Sequence, residues 1–182
     1  MNFFLELSSI LEHNVLMRKL DERDIQILSI LQEDGRITKK ALAGRLNLSL
    51  TPSWDRIKRL ERDGIIEGYH AKLSSLFLNN FYLVITEIQL KSNNDSASLL
   101  FESAINKFDE VLSCWKVGGS LDYILRVITK DEEAYEDFIR SIFEADIGLN
   151  HYNSYPILNK NKDSKKISKS LIRQSGLAKH PI

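Results

Sequence analysis

The chain has 182 residues, 43% of them hydrophobic, with 25 Lys and Arg against 25 Asp and Glu and a single Cys. That length supports one large domain or two small ones with separate cores. Cys114 alone excludes an internal disulfide framework and a Cys-rich zinc site, and no apolar run approaches the ~20 residues of a membrane-spanning helix.

The zero net charge hides a pattern. Residues 18–73 hold 12 Lys and Arg against 9 Asp and Glu, residues 74–158 hold 6 against 13, and residues 159–182 hold 7 against 1. A basic front, an acidic middle and a basic end point to two domains with different partners. Cys114 lies in the apolar run VLSCWKV, which reads as a buried thiol in a reduced, cytoplasmic protein.

In chain order, MNFFLELSSILEHNVL spaces Phe3, Phe4, Leu7, Ile10 and Leu11 as a helix would. It has no Lys or Arg, so it lacks the charged start of a secretory signal. Two readings stand: an extra helix that packs on a neighbour, or an upstream extension with Met17 as the natural start. Residues 1–16 are set apart as an N-terminal extension.

Three helices follow within residues 17–73. Asp21 can cap the first, with Asp24 three residues on and Leu20 and Ile25 as a hydrophobic staple. Ile27, Leu28 and Leu31 form its core stripe, and Gly35 suits its exit. Thr38 can cap a short second helix, with Ile37 and Leu42 as staple and Asn47 in the left-handed turn. Ser49 can cap the third, Pro52 falls in its first turn, and Gly64 stops it. IIEGYHAKL, residues 65–73, is β-like and suits a wing.

Residues 74–80 read as a linker. Residues 81–158 then alternate: a strand at 81–91, a helix at 96–108 with Leu100, Ala104 and Phe108 on one face, and strands at 111–117 and 123–129. A helix at 131–143 follows, with Tyr135, Phe138, Ile139 and Ile142 inward, then a last strand at 151–158. The order βαββαβ is that of a ferredoxin-like unit. The fold class is therefore α+β, a winged helix-turn-helix followed by a ferredoxin-like domain. Residues 159–182 read as a basic, flexible tail.

A short helix, a tight turn and a longer capped helix form a helix-turn-helix. With Ile57 and Leu60 inward, Thr51, Asp55, Lys58, Arg59 and Arg62 point away and Arg56 flanks them. Trp54 and Ser53 lie near the packing side, and Trp54 is expected to pack on the helical core, with a base or sugar contact as the lesser alternative. Hydroxyls at the N-terminal end of the third helix can reach base edges, and basic residues further along can reach phosphates. Lys39 and Lys40 are placed to meet the DNA backbone at the start of the second helix. The candidate contacts to double-stranded DNA are Thr38, Lys39, Lys40, Ser49, Thr51, Pro52, Ser53, Asp55, Arg56, Lys58, Arg59 and Arg62. A packed helix with a solvated basic face is the plainer alternative. No motif for a metal or a cofactor stands out.

The openings LDERDIQIL and LQEDGR, the run TPSWDRIKRLE and the segment GIIEGY resemble the DNA-binding half of the leucine-responsive regulator/AsnC (feast/famine) family of transcription factors, over residues 20–73. WKVGGSLDYILRV is similar to that family's strand–glycine–Asp–Tyr–strand signature, so the likeness extends to residue 158. It implies a transcription regulator whose second domain pairs two copies through their sheets, as a homodimer that assembles further to a tetramer or octamer. It also implies a small-molecule effector, an amino acid or derivative, bound between subunits near Gly118, Gly119, Ser120, Leu121 and Asp122. Glycines there admit a ligand to backbone N–H groups and Asp122 suits an ammonium group; alternatively the segment is a hairpin turn that Asp122 caps. The chain departs from the family at Ser120 and Leu121, where an acid and an aromatic are common, at Leu50, where Pro is common, and at Trp54, which replaces an aliphatic residue. Two other readings remain: a regulator without effector whose second domain only oligomerises, and a tetrapyrrole decarboxylase on the same fold. For the latter, His13, His70, His151 and His180 form no acid–base pair at motif spacing, and the reading is that the chain is not an enzyme.

Overall fold

Capping signals of the kind found above fix helix ends locally, and the computed structural model honours nearly all of them. The structure describes residues 19–92, 94–175 and 177; the extension at 1–16 lies outside them. The chain forms two compact units, one from the described parts of Met1–Lys72 and Asp163–Ile182 and one from Leu73–Lys162.

The first unit holds α1 (Glu22–Glu33), α2 (Lys39–Leu46) and α3 (Leu50–Arg62). Asp21 caps α1 and forms a reciprocal box with Asp24. Thr38 caps α2 by accepting from the Ala41 N–H at 3.2 Å. Asn47 takes the left-handed conformation at φ 52°, and Gly64 does so after α3 at φ 69°. Leu20, Ile25, Ile27, Leu42, Leu46, Ile57 and Leu60 make one buried cluster, onto which Trp54, Ile65 and Ile66 pack. Residues 66–74 form no strand before the next helix. The segment expected to be a β-like wing is irregular chain here: a strand needs a neighbour for its N–H and C=O row, and these residues pair with no strand among the described residues of this unit.

An ion-pair network ties α3 to the start of α1. The Asp24 side chain is 3% exposed; its Oδ1 accepts from Arg56 Nη1 at 2.8 Å and from Arg59 Nη2 at 2.5 Å. Its Oδ2 accepts from the Asp21 N–H at 3.1 Å. Arg56 also reaches Asp21 Oδ2 at 2.6 Å. Arg23 donates to the Leu46 carbonyl at 2.5 Å, closing α1 onto the end of α2.

The basic C-terminal segment does not stay loose. It contains α7 (Lys169–Gln174), capped by Ser168, and runs along α1. Gln32 Oε1 accepts from the Ile167 N–H at 2.7 Å, Arg173 makes a fork to Glu22 at 2.7 and 3.2 Å, and Lys166 pairs with Glu33. The Leu20 N–H donates to the Leu177 carbonyl at 2.6 Å. Ile172 enters the core cluster. Residues 166–175, with Leu177, therefore form a strap on α1, a correction to the expected flexible tail. Its few apolar residues are too sparse to show a period, yet one of them fills a place on α1.

The second unit has β1 (Tyr82–Leu90), α5 (Asp95–Ile105), β2 (Val111–Lys116), β3 (Tyr123–Thr129), α6 (Glu132–Glu144) and β4 (Leu149–Pro156), preceded by α4 (Ser75–Leu78) where a plain linker was expected. All strand pairs are antiparallel in the order β2-β3-β1-β4, the ferredoxin-like arrangement. Alternation sends Val84, Ile88, Tyr123, Leu125 and Val127 to one face, where Phe101, Ile105, Phe138, Ile139 and Ile142 of the helices cover them. On α5 the inward residues are Ser98, Phe101 and Ile105, while Leu100 is exposed. The helix is apolar on two sides, so spacing alone left its phase open. The other sheet face carries Leu83, Ile85, Ile124, Ile128, Trp115 and Tyr155, partly or well exposed. Burial pushes the Cys114 thiol, half-buried against the core, up to about 11, so it stays protonated and unreactive. Among the described residues no helix is long and apolar enough to cross a membrane.

Each unit holds one Trp, Trp54 in the first and Trp115 in the second. In a Trp115→Phe background, urea unfolding read by Trp54 emission therefore follows the first unit. Asp24→Ala should cost it about 3 kcal/mol, since two guanidinium groups lose their common partner; a loss under about 1 kcal/mol would remove the network from this account. Ile172→Ala should cost about 2 kcal/mol, whereas Leu171→Ala, 58% exposed, should cost nothing measurable. Equal losses from both would contradict the strap contact. Burial is the largest single influence on Asp21 and works against its charge, but the bond and charge of Arg56 and the Asp24 and Arg23 N–H groups together outweigh it and hold the carboxyl below its usual 3.8. The stability from these interactions is full above 3.8 and is lost as pH falls through the lower folded-state value. Asp21→Asn should thus flatten the stability loss below pH about 4, which acid titration in fixed urea would detect.

Candidate DNA-binding surface and effector turn

The ion pairs decide which way α3 faces. Arg56 and Arg59, both expected to meet DNA, are committed inward to Asp21 and Asp24. Ser53 is also lost to the surface: it is buried and its hydroxyl donates to the Ser49 carbonyl at 2.8 Å. Exposed charges look alike in a sequence, and only Asp21 and Asp24, more than thirty residues away, separate these arginines from Lys58 and Arg62. Ser49, Thr51, Pro52, Asp55, Lys58 and Arg62 remain partly or fully exposed along α3. Thr38, Lys39 and Lys40 are exposed at the start of α2.

Ser49 occupies the N-cap position of α3 with extended backbone, yet its side chain makes no capping bond. Every other described helix has a bonded cap, from Asp21, Thr38, Ser74, Asn94, Asp131 or Ser168. The expected Ser49 cap is thus absent, and the hydroxyls of Ser49 and Thr51 stand uncommitted at the head of α3.

Trp54 packs on the core cluster as expected, but it does more than fill space. Lys39 Nζ lies 3.5 Å from its ring centroid and Lys58 Nζ 4.9 Å. Lys58 also pairs with Glu61 at 2.8 Å, and Tyr69 donates to the other Glu61 oxygen at 3.1 Å. Burial and Glu61 push the Tyr69 phenol up to about 12, so it remains a donor and holds residues after α3 against that helix. Spacing assigned Trp54 a packing role first and a base or sugar contact second, and neither includes the place of its aromatic face beside two lysines.

The expected effector turn, Gly118 to Asp122, joins β2 and β3. Gly118, Gly119 and Ser120 are exposed, and Leu121 and Asp122 are half-buried. Gly119 has φ +125°, a conformation that L side chains rarely adopt. Asp122 is fastened to β1: its N–H donates to the Ile88 carbonyl at 3.0 Å, and its Oδ2 accepts from the Leu90 N–H at 2.8 Å. One carboxylate oxygen is therefore spent on the turn, which leaves less of it for an ammonium group. His70 and His151 are exposed in different units, His151 beside Asn153 at 3.2 Å. Among the described residues no group of three or more His, Cys, Asp and Glu is placed to hold a metal ion.

Two family models match the two halves. One, described as winged helix-turn-helix DNA-binding, covers residues 20–67. The other, the Lrp/AsnC ligand binding domain, covers residues 83–167. The transcriptional regulatory protein DoeX of Halomonas elongata is 39% identical over 137 residues, 75% of this chain and 87% of that protein. The leucine-responsive regulatory protein of Escherichia coli K12 is 35% identical over 150 residues, 82% of this chain and 92% of that protein. Among solved structures, a transcriptional regulator from Neisseria meningitidis in complex with L-Met is similar at TM-score 0.74 and 32% identity, over 81% of this chain and 96% of that one. An AsnC family transcriptional regulator from Agrobacterium tumefaciens is similar at TM-score 0.76 and 30% identity, over 84% and 99%. A three-helix DNA-binding unit, an antiparallel βαββαβ unit and relatives matched across most of their length agree: the chain belongs to the Lrp/AsnC family of transcriptional regulators.

Proposed function

We propose that this regulator reads duplex DNA with Ser49, Thr51, Pro52 and Asp55 at the head of α3, while Thr38, Lys39, Lys40, Lys58 and Arg62 grip the phosphates. The single observation behind this is Ser49, the one N-cap among the described helices whose side chain makes no capping bond. Short polar side chains suit base edges, and lysines and arginines suit phosphates. Arg56 and Arg59 act as struts, not as contacts.

Two copies pair through the open sheet face of Leu83, Ile85, Trp115, Ile124, Ile128 and Tyr155. A sheet with helices on one side only needs a cover for its other apolar side. The pair presents two α3 helices to two half-sites. A small-molecule effector, an amino acid or derivative in keeping with the L-Met complex of the Neisseria relative, binds by the Gly118–Asp122 turn. The regulator acts on DNA in the cytoplasm and catalyses no reaction. The fastening of Asp122 to Leu90 favours a second reading, in which the unit only oligomerises and no effector binds.

Gel-shift titration on the DNA upstream of its own gene tests the DNA face. Thr51→Ala should weaken specific binding about fivefold or more and relax discrimination at one base pair. Arg62→Ala should weaken all sequences alike and reduce the log–log salt slope by about 0.9. Unchanged affinity in both variants would refute the assignment. For the effector, thermal melts across an amino-acid panel suffice, since a ligand at about 100 times its Kd adds about 2.7 kcal/mol of stability. A panel with no shift would favour the second reading.

A further inference from the structure

We infer that Trp54 is a positioning residue for phosphate binding, holding the Lys39 and Lys58 ammonium groups so that α2 and α3 present them together to one DNA backbone. The inference rests on the DNA-binding reading above and adds to it a residue which that reading leaves in the core.

Lys39 comes from the first turn of α2 and Lys58 from the middle of α3, and Trp54 lies on the inner flank of α3. Both ammonium groups lie near one indole, 3.5 and 4.9 Å from the ring centroid. An indole face attracts a cation through its quadrupole, and it does so without neutralising the charge. A carboxylate in the same place would hold the lysine as well, but would cancel the charge that DNA needs. The contrast lies within the same helix: Arg56 and Arg59 are held by Asp21 and Asp24, and both side chains are thereby turned inward, 25% and 20% exposed. Lys39 pairs with no carboxylate among the described residues and remains a free cation at a fixed place. Lys58 shares its charge with Glu61 at 2.8 Å, and Glu61 is in turn held by Tyr69.

Order is the second part. A lysine side chain has four rotatable bonds and loses most of that freedom when it clasps a phosphate. Against the Trp54 ring Lys39 has lost part of it before DNA arrives. The indole also packs on the buried cluster that includes Leu42 and Ile57, so the platform is itself anchored in the core. Two cations drawn to one ring also repel each other, and a phosphate between them relieves that repulsion.

A double-mutant cycle tests this on a short duplex of mixed sequence, since phosphate contacts are indifferent to base order. In the unaltered chain, Lys39→Ala should weaken binding and reduce the salt slope by about 0.9. In a Trp54→Leu background the same change should cost at least about threefold less, a coupling of the size found for residues in contact. Trp54→Phe, which keeps an aromatic face, should retain part of the coupling, while urea unfolding separates stability from affinity. Equal Lys39→Ala costs in the unaltered, Trp54→Phe and Trp54→Leu backgrounds would overturn the inference. Should Trp54→Leu fail to fold, nuclear magnetic resonance on the unaltered chain decides. Lys39 ε-methylene protons held over the indole resonate well upfield of an ordinary lysine, and ordinary shifts would also overturn it. If the unaltered chain binds no duplex, the DNA-binding reading itself fails, an outcome distinct from equal costs.

Discussion

The DNA-binding unit turns on one buried carboxylate. Asp24 serves two structures at once: it completes the capping box at the start of α1, and it receives Arg56 and Arg59 from α3. A buried charge with no partner costs several kcal/mol, so once Asp24 is inside, both arginines must turn toward it. That requirement fixes the roll of α3 about its own axis. Residues 51, 55, 58 and 62, spaced by four, three and four, are then left on the outer face. The surface that we propose for DNA is thus the remainder after an internal charge has been neutralised. It carries Lys58 and Arg62 only because Arg56 and Arg59 are occupied elsewhere.

The strap gives this unit an unusual connectivity. Its core is assembled from two ends of the chain, with the whole βαββαβ unit inserted between them. Helix α1 is held on one side by α2 and α3 and on another by α7. Ile172 adds apolar burial, while the Arg173–Glu22 and Lys166–Glu33 pairs, being exposed, fix register more than they add stability. Leu20 and Leu177 are joined by a backbone bond, so the residue that leads into α1 is tied to a segment more than 150 positions away in the sequence. The two family models end at residues 67 and 167. Helix α7 and Leu177 lie beyond both, so most of the strap is built from residues that the family patterns do not cover.

What the sequence made legible follows from the range of each interaction. Caps, staples and turn residues act over three to five positions, so Asp21, Thr38, Asn47 and Gly64 announced their roles. The inward stripe of α6 was equally plain, because its apolar residues occupy one face only. Where the deciding partner is distant, the sequence was silent. Nothing near Arg56 or Arg59 distinguishes them from Lys58, and nothing near Ile172 says that α1 has a place for it. On α5, Leu100 and Phe101 are adjacent and both apolar, and only the sheet beneath selects Phe101. Asp122 suited either a ligand or its own turn, and the Leu90 N–H, on another strand, takes one of its oxygens.

The head of α3 shows where stability gives way to another demand. A serine at an N-cap position with extended backbone is already in the geometry for capping, and the bond it forgoes is worth about 1 kcal/mol. Pro52 removes one backbone donor from the first turn, and the Ser53 N–H is only weakly satisfied by the Ser49 carbonyl at 3.4 Å. Ser53 turns its hydroxyl to that same carbonyl, which bends polar capacity inward and leaves Ser49 outward. A helix selected for stability alone would use Ser49 as its siblings use Asp21 and Thr38. Local consistency holds at six described helix starts and fails at one, and the failure lies on the face that Asp24 turns outward. Departures from local preference are expected where a surface has work other than folding, and here the departure and the electrostatic constraint select the same face.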